Sequence, residues 1–310
     1  MNYAGLIYDD SRHYLDHLGP FCATLQWPLI VCEPAVAELA RRYYPDLEVI
    51  ETSVWDLQLP PHIVTCDNQP LLQAAFPNQR CKTLWLPHGN SDKGWDGPFF
   101  ESVGEIALVY GQKMIDFMHA KNALPQMIRV GNFRWSYFLK HREFYLNSIS
   151  LPQGTKKILY APSWDDSFWE IFPHLAKQFP SDCHLLVKLH PNTLRKFEAE
   201  LELLMSRHTH FTFLSEIPSI YPLLSQCNAY MGTLSSVGYD FLTFNRPMYF
   251  LNANPHLPLH RCGTPIEPSH FTLHETDSFS TARKALYDYT FDPAPSGKQI
   301  QEQIDALCSV

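Results

Sequence analysis

At 310 residues the chain is about twice a common domain length, which leaves room for two hydrophobic cores. Hydrophobic residues make up 45% and charged residues 18%, a balance that excludes a disordered chain. The formal net charge of -8 argues against nucleic acid as the main partner, because a phosphate backbone needs a basic surface. A local basic cleft for a small phosphorylated ligand remains compatible with it.

Taken in chain order, short apolar runs predict strands over 4–8, 28–32, 62–66, 83–86 and 106–110. Helical stretches fall between them, among them 34–44, with Pro34 in its first turn, and 112–123. After the breaker-rich link Leu151-Pro152-Gln153-Gly154 the alternation starts again. Strands are expected at 157–160, 184–189, 211–214, 229–231 and 248–251, and helices at 173–179, 194–207, 219–225 and 236–244. The 194–207 segment sets Leu194, Phe197, Leu201 and Leu204 at helical spacing. A loop over 292–297 precedes a last helix, which is expected to cross back to the first half. Alternation of this kind builds βαβ units around parallel sheets, so the fold class is α/β. The expected domains are 1–150 and 151–310, with an interdomain cleft.

The eight cysteines are irregularly spaced and form no CxxC pair, so a disulfide framework and a structural zinc site are not expected, and a reducing compartment is. The N-terminus has no basic stretch followed by an apolar one, and no apolar run reaches the ~18–20 residues that span a bilayer. The expectation is a cytoplasmic protein, at most peripheral to a membrane.

In open α/β sheets ligands bind beyond the carboxyl ends of the strands, so motifs there carry most weight. The first strand end is Leu84-Trp85-Leu86-Pro87-His88-Gly89-Asn90. Gly89 lets the backbone approach a ligand, and His88 can take a proton from a hydroxyl nucleophile near neutral pH. A loop histidine bonded to backbone is the plain alternative. The second is His184-Leu185-Leu186-Val187-Lys188-Leu189-His190-Pro191, where Lys188 and His190 alternate with apolar residues. A buried lysine needs a partner, a phosphate or a carboxylate, whereas on an edge strand it simply reaches solvent. The third is Gly232-Thr233-Leu234-Ser235-Ser236, where a strand runs into a helix whose start offers N–H groups to a phosphate or is merely capped by serine. The segment Ser163-Trp164-Asp165-Asp166-Ser167-Phe168-Trp169 offers rings for stacking or for core packing, and two carboxylates for a metal or for solvent.

Together these pieces resemble the CDP-glycerol glycerophosphotransferase family, the enzymes that prime and polymerise teichoic-acid-type chains. His88-Gly89 is similar to the family's N-terminal His-Gly motif, and Val130-Gly131-Asn132-Phe133-Arg134 to its Gly-x-Pro-Arg segment, with Phe133 in place of proline. Lys157 to Trp164 resembles the strand opening its second domain, and Lys188-Leu189-His190-Pro191 its His-Pro motif. Ser235-Ser236 with Asp240, then Asn245-Arg246-Pro247, resembles its Asp-Tyr-Ser-Ser and Lys-Pro segments, and 291–304 with Ser296 its terminal loop and helix. Thr233 stands where the family has aspartate, Leu234 replaces tyrosine, and Asn90 replaces a threonine.

The resemblance implies a GT-B fold of two Rossmann-like domains and attack by an acceptor hydroxyl on the β-phosphate of a CDP-linked donor, releasing CMP. It implies His88 and His190 as catalytic residues facing each other across the cleft. Gly89, Arg134, Lys188, Thr233, Ser235, Ser236, Asp240 and Ser296 are then expected on the donor. The implied partners are a CDP-linked donor and a cell-envelope glycan or lipid-linked acceptor, with Mg2+ a candidate cofactor. A GT-B glycosyltransferase or epimerase using a nucleotide sugar shares the fold, the cleft and the phosphate-binding helix start, and a non-catalytic nucleotide-binding relative keeps the cleft.

Overall fold

The computed structural model describes residues 1–67, 69–92, 106–123, 125–153, 155–163, 167–190, 193, 203, 211–214, 217–267 and 277–308. Most of the predicted helix over 194–207, together with Trp164, Asp165 and Asp166, lies outside the described residues. The chain divides into two units: Met1–Asn90, Gly94–Tyr145 and Tyr289–Val310 form one, Ser91–Lys93 and Leu146–Asp288 the other. The boundary thus falls a few residues before the link at 151–154, and the C-terminal segment belongs with the first unit and not with the second.

The first unit holds β1 (Tyr3–Ile7), α1 (Leu15–Leu25), β2 (Leu29–Val31), α2 (Pro34–Tyr43), β3 (Val49–Glu51), β4 (His62–Thr65) and α3 (Gln69–Ala75). After these come β5 (Lys82–Trp85), β6 (Ile106–Val109), α4 (Gln112–Ala120), β7 (Gln126–Arg129) and α5 (Phe133–Lys140). The helix α6 (Arg142–Ser148) runs across the unit boundary. The strands form one parallel sheet ordered β3-β2-β1-β4-β5-β6-β7. A parallel sheet covered on both faces needs strands that are apolar throughout, and β6 is Ile-Ala-Leu-Val with every residue buried. Ala4, Leu6, Ile30, Ile63, Leu72 and Phe76 pack together as part of one core.

The second unit repeats the scheme with β8 (Lys156–Ala161), α7 (Ser167–Gln178), β9 (Cys183–Val187), β10 (Phe211–Phe213), α8 (Ile220–Ser225) and β11 (Ala229–Gly232). Then come α9 (Ser236–Phe241), β12 (Met248–Leu251), β13 (Thr264–Ile266) and α10 (Ser280–Thr290). Its sheet is parallel, ordered β10-β9-β8-β11-β12-β13. Two Rossmann-like sheets of this kind are the GT-B architecture that the sequence predicts.

From Tyr289 the chain returns to the first unit, ending in α11 (Gly297–Cys308). Ile300 and Ile304, one helical turn apart, are fully buried. The Tyr3 hydroxyl donates to Asp305 at 2.7 Å, the Trp27 indole to Gln301 at 2.8 Å, and the Lys82 ammonium to the Leu307 carbonyl at 3.0 Å. All eight cysteines are free thiols, and burial pushes the Cys32 and Cys262 thiols up to about 11.

Candidate functional site

Strand order reverses between β1 and β4 in the first sheet and between β8 and β11 in the second. At such a switch point the following connections diverge to opposite faces and leave a crevice at the carboxyl edge. His88 in the first unit, and Lys188, His190 and Thr233 in the second, follow strands at or beside these reversals.

In the first unit, β5 ends at Trp85, and the Leu86 N–H still donates to the Thr65 carbonyl at 2.9 Å. Pro87 has no N–H to continue the ladder, so the chain turns out of the sheet. Gly89 completes the turn at φ 115°, a conformation that disfavours any side chain, and His88 projects half-buried between. The imidazole lies against the rings of His13 and Tyr14, with centroids 5.5 Å away in each case. Both of these follow β1. Tyr14 donates from its hydroxyl to Asp67 Oδ1 at 3.0 Å, just beyond the end of β4. Burial raises the Asp67 carboxyl to about 6; the Tyr14 hydrogen bond opposes the rise and nearby Asp9 adds to it.

Behind these groups lies a buried layer. Arg134 Nη1 meets Asp16 Oδ2 at 2.6 Å with the arginine side chain only 1% exposed, and its guanidinium covers the Tyr110 ring at 5.6 Å. His17 Nδ1 lies 2.6 Å from the Tyr110 hydroxyl, which donates to the Pro87 carbonyl at 2.9 Å. Burial, and then the Arg134 charge, hold the His17 imidazole well below the usual histidine range. The Gly131 turn before Arg134 has φ 60° and packs on the backbone of Asp292, Pro293 and Ala294.

In the second unit, β9 is flanked by β8 and β10, so Lys188 does not ride on an edge strand. The strand stops at Val187, two residues earlier than the sequence suggests. Lys188 and His190 therefore stand just past its tip, both half-buried, with the Lys188 N–H donating to the Tyr160 carbonyl at 2.9 Å. Across the switch point, the buried Thr233 Oγ1 accepts from the Ser163 N–H at 3.3 Å and donates to Ser163 Oγ at 3.2 Å. This hydroxyl pair links the ends of β11 and β8. His260 fixes the same turn. Its Nδ1 accepts from the Asn254 N–H at 2.8 Å, so in the neutral ring the proton sits on Nε2, 3.2 Å from the Thr233 carbonyl. Ser235 caps α9, accepting from the Val237 N–H at 3.4 Å, and Ser236 opens the helix half-buried.

Arg134, Asp240 and Ser296, also expected on the donor, have internal partners as well. Arg134 is held by the buried Asp16 pair. Asp240 is buried in α9 and accepts from the Tyr221 hydroxyl at 3.5 Å. Ser296 caps α11, its Oγ accepting from the Gln299 N–H at 3.3 Å while Gln299 Oε1 accepts from the Ser296 N–H at 2.9 Å. That reciprocal pair is a capping box, and it lies in the first unit. Among the described residues, no group of three or more His, Cys, Asp or Glu side chains converges as metal ligands. His13, Tyr14, His17 and Asp67 were not singled out in the sequence. Their signal was position alone, just after the β1 and β4 runs.

Residues 141–255 match the sequence model of the CDP-Glycerol:Poly(glycerophosphate) glycerophosphotransferase family. No curated protein matches the chain by sequence. Among solved structures, the wall teichoic acid polymerase TagF soaked with CDPG superposes at TM-score 0.72 and 13% identity, over 99% of this chain and 89% of that one. S. aureus MnaA in its co-structure with UDP gives 0.59 and 12%, over 100% and 97%. Anabaena Alr3699/HepE in complex with UDP and glucose gives 0.57 and 11%, over 100% and 99%. The chain therefore carries the glycerophosphotransferase family signature over residues 141–255 and has the two-unit fold seen in TagF.

Proposed function

We propose that the protein transfers a polyol phosphate, glycerol phosphate in the first instance, from a CDP-linked donor to a hydroxyl of a cell-envelope glycan or lipid-linked precursor. One observation carries this reading. The stretch bearing the family signature supplies Lys188, His190, Thr233, Ser235 and Ser236 to the carboxyl edge of a single parallel sheet, around its switch point. In the proposed reaction His88 accepts the proton of the acceptor hydroxyl as its oxygen attacks the β-phosphorus. The bond from that phosphorus to the bridging oxygen breaks, and CMP leaves with the electron pair. Lys188 and His190 offset the phosphate charge, and the Ser235–Ser236 turn holds a phosphate oxygen. Such transfer depends on positioning and preorganised charge. The Thr233–Ser163 hydroxyl pair takes the place of the family aspartate and leaves that edge without its negative charge. The reaction runs at the cytoplasmic face of the membrane, and no described helix is long and apolar enough to cross one.

The experiment compares variants on CDP-glycerol with a polyol acceptor, with and without Mg2+. His88→Ala should keep donor affinity while turnover falls ~10²–10⁴-fold, the share of a general base. Lys188→Ala should weaken donor binding by ~1.5–3 kcal/mol, the worth of a hydrogen bond to a charged group. Unaltered turnover in His88→Ala would remove the base. UDP-bound structures of the same fold favour a second reading, a nucleotide-sugar enzyme, and preferential binding of a UDP-sugar would support it.

A further inference from the structure

The carbonyl of Pro87, in the turn that carries His88, is tied to the protein interior. Beyond Leu86 the ladder with β4 ends, because Pro87 has no N–H to donate. The Pro87 carbonyl is instead held by the Tyr110 hydroxyl at 2.9 Å, from the residue that follows β6. Tyr110 cannot swing away. It is fully buried, stacked on Phe133 at 5.7 Å, met edge-on by Phe291 at 6.0 Å and covered by the Arg134 guanidinium.

The protons in this chain can be assigned. A phenol has one hydroxyl proton and a carbonyl has none, so the Tyr110 proton points at Pro87. The 2.6 Å contact between Tyr110 and His17 then requires His17 Nδ1 to donate, which fixes the Nδ1–H tautomer. A neutral ring suits the site, since His17 is buried and the Arg134 guanidinium lies nearby.

We propose that His17 and Tyr110 are positioning residues for His88, forming a donor chain from α1 through the end of β6 to the carbonyl that precedes it. The proposal rests on the reading of His88 as the base. The Tyr110 hydroxyl sets where the Pro87–Asn90 turn leaves the sheet, Gly89 lets it fold back, and the imidazole is aimed as a result.

The test uses the full chain. Tyr110→Phe removes the hydroxyl and keeps the ring. It should lower kcat on CDP-glycerol by ~10²-fold, the scale of a 1 Å misplacement, while KM for the donor stays within about twofold. His17→Gln, which retains an N–H donor, should recover to within about tenfold of wild type, whereas His17→Leu should match Tyr110→Phe. A merely structural role would lower thermal stability in all three without splitting kcat from KM. In parallel, 15N-labelled histidine spectra should show His17 as the Nδ1–H tautomer and should show the His88 resonances moving in Tyr110→Phe. Wild-type kcat in Tyr110→Phe, alongside an inactive His88→Ala, would overturn the positioning role and leave the base intact. Full activity in His88→Ala would remove the base instead, and the spectra would then decide the positioning. An Nε2–H tautomer at His17, or unmoved His88 resonances, would overturn it.

Discussion

Replacing Arg134 separates two roles that the sequence left together. The family resemblance puts this arginine on the donor, whereas in the fold its side chain is 1% exposed and pairs with Asp16 at 2.6 Å. Arg134→Met keeps much of the volume and strands a carboxylate whose side chain is only 10% exposed. Breaking a buried pair on one side costs about 3–5 kcal/mol, because the remaining buried charge has lost its guanidinium. For a unit of this size each kcal/mol moves Tm by about 2–4 °C, so a fall of roughly 10 °C is expected. Removing both charges should undo most of it: the Asp16→Leu, Arg134→Met double variant should regain stability, since an apolar pair of similar volume is often neutral or better. The assay is thermal unfolding followed by circular dichroism, run beside calorimetric titration of CDP-glycerol into the same samples. The reasoning is refuted if Arg134→Met melts like wild type and has lost the donor. That outcome would make the arginine a ligand, as the resemblance implies.

Other expectations follow from single groups. Asp67 has its carboxyl raised to about 6, so ionising it in the fold is unfavourable; that cost is absent well below pH 4 and full above pH 6. Asp67→Asn should therefore match wild type near pH 4 and exceed it by up to about 2–3 kcal/mol at pH 8, and a gap that does not widen with pH would contradict the shift. Ser296→Ala should cost ~1 kcal/mol of stability as a lost cap and leave donor affinity unchanged; weaker donor binding would show a role beyond capping. Gly89→Ala forces a side chain onto φ 115°, and should cost ~1–3 kcal/mol by denaturant titration; a neutral result would mean that the turn relaxes freely.

What the sequence made legible follows burial. Central strands such as β6 and β9 are buried at every residue and stand out as apolar runs. The edge strands β3 and β7 were missed, because Glu51, Gln126 and Arg129 face solvent and break the pattern. Two helices with an internal proline depart from the expectation. The helix α1, which carries Gly19-Pro20, is absent from the predicted elements, and the predicted helix start at Pro173 lies inside α7, which begins at Ser167. In α1, burial of Leu15, Leu18, Phe21 and Cys22 outweighs the proline penalty. Among the candidate site residues, His88, Lys188 and Thr233 stand out in the sequence because each follows the end of an apolar run. Asp67 and Tyr14 do not, since their pairing spans 53 residues and no local pattern announces it. For Arg134, Asp240 and Ser296, motif order located the residues but said nothing about which internal partner each would find.

Which bond of the donor breaks is reported directly by the nucleotide product. Incubated with CDP-glycerol and a polyol-terminated acceptor, and resolved by anion-exchange chromatography, the protein should release CMP in step with a new phosphodiester visible by 31P NMR. Cleavage between the β-phosphorus and the bridging oxygen leaves a single phosphate on the nucleotide. Release of a nucleoside diphosphate from a nucleotide sugar, with CDP-glycerol untouched, would contradict the account.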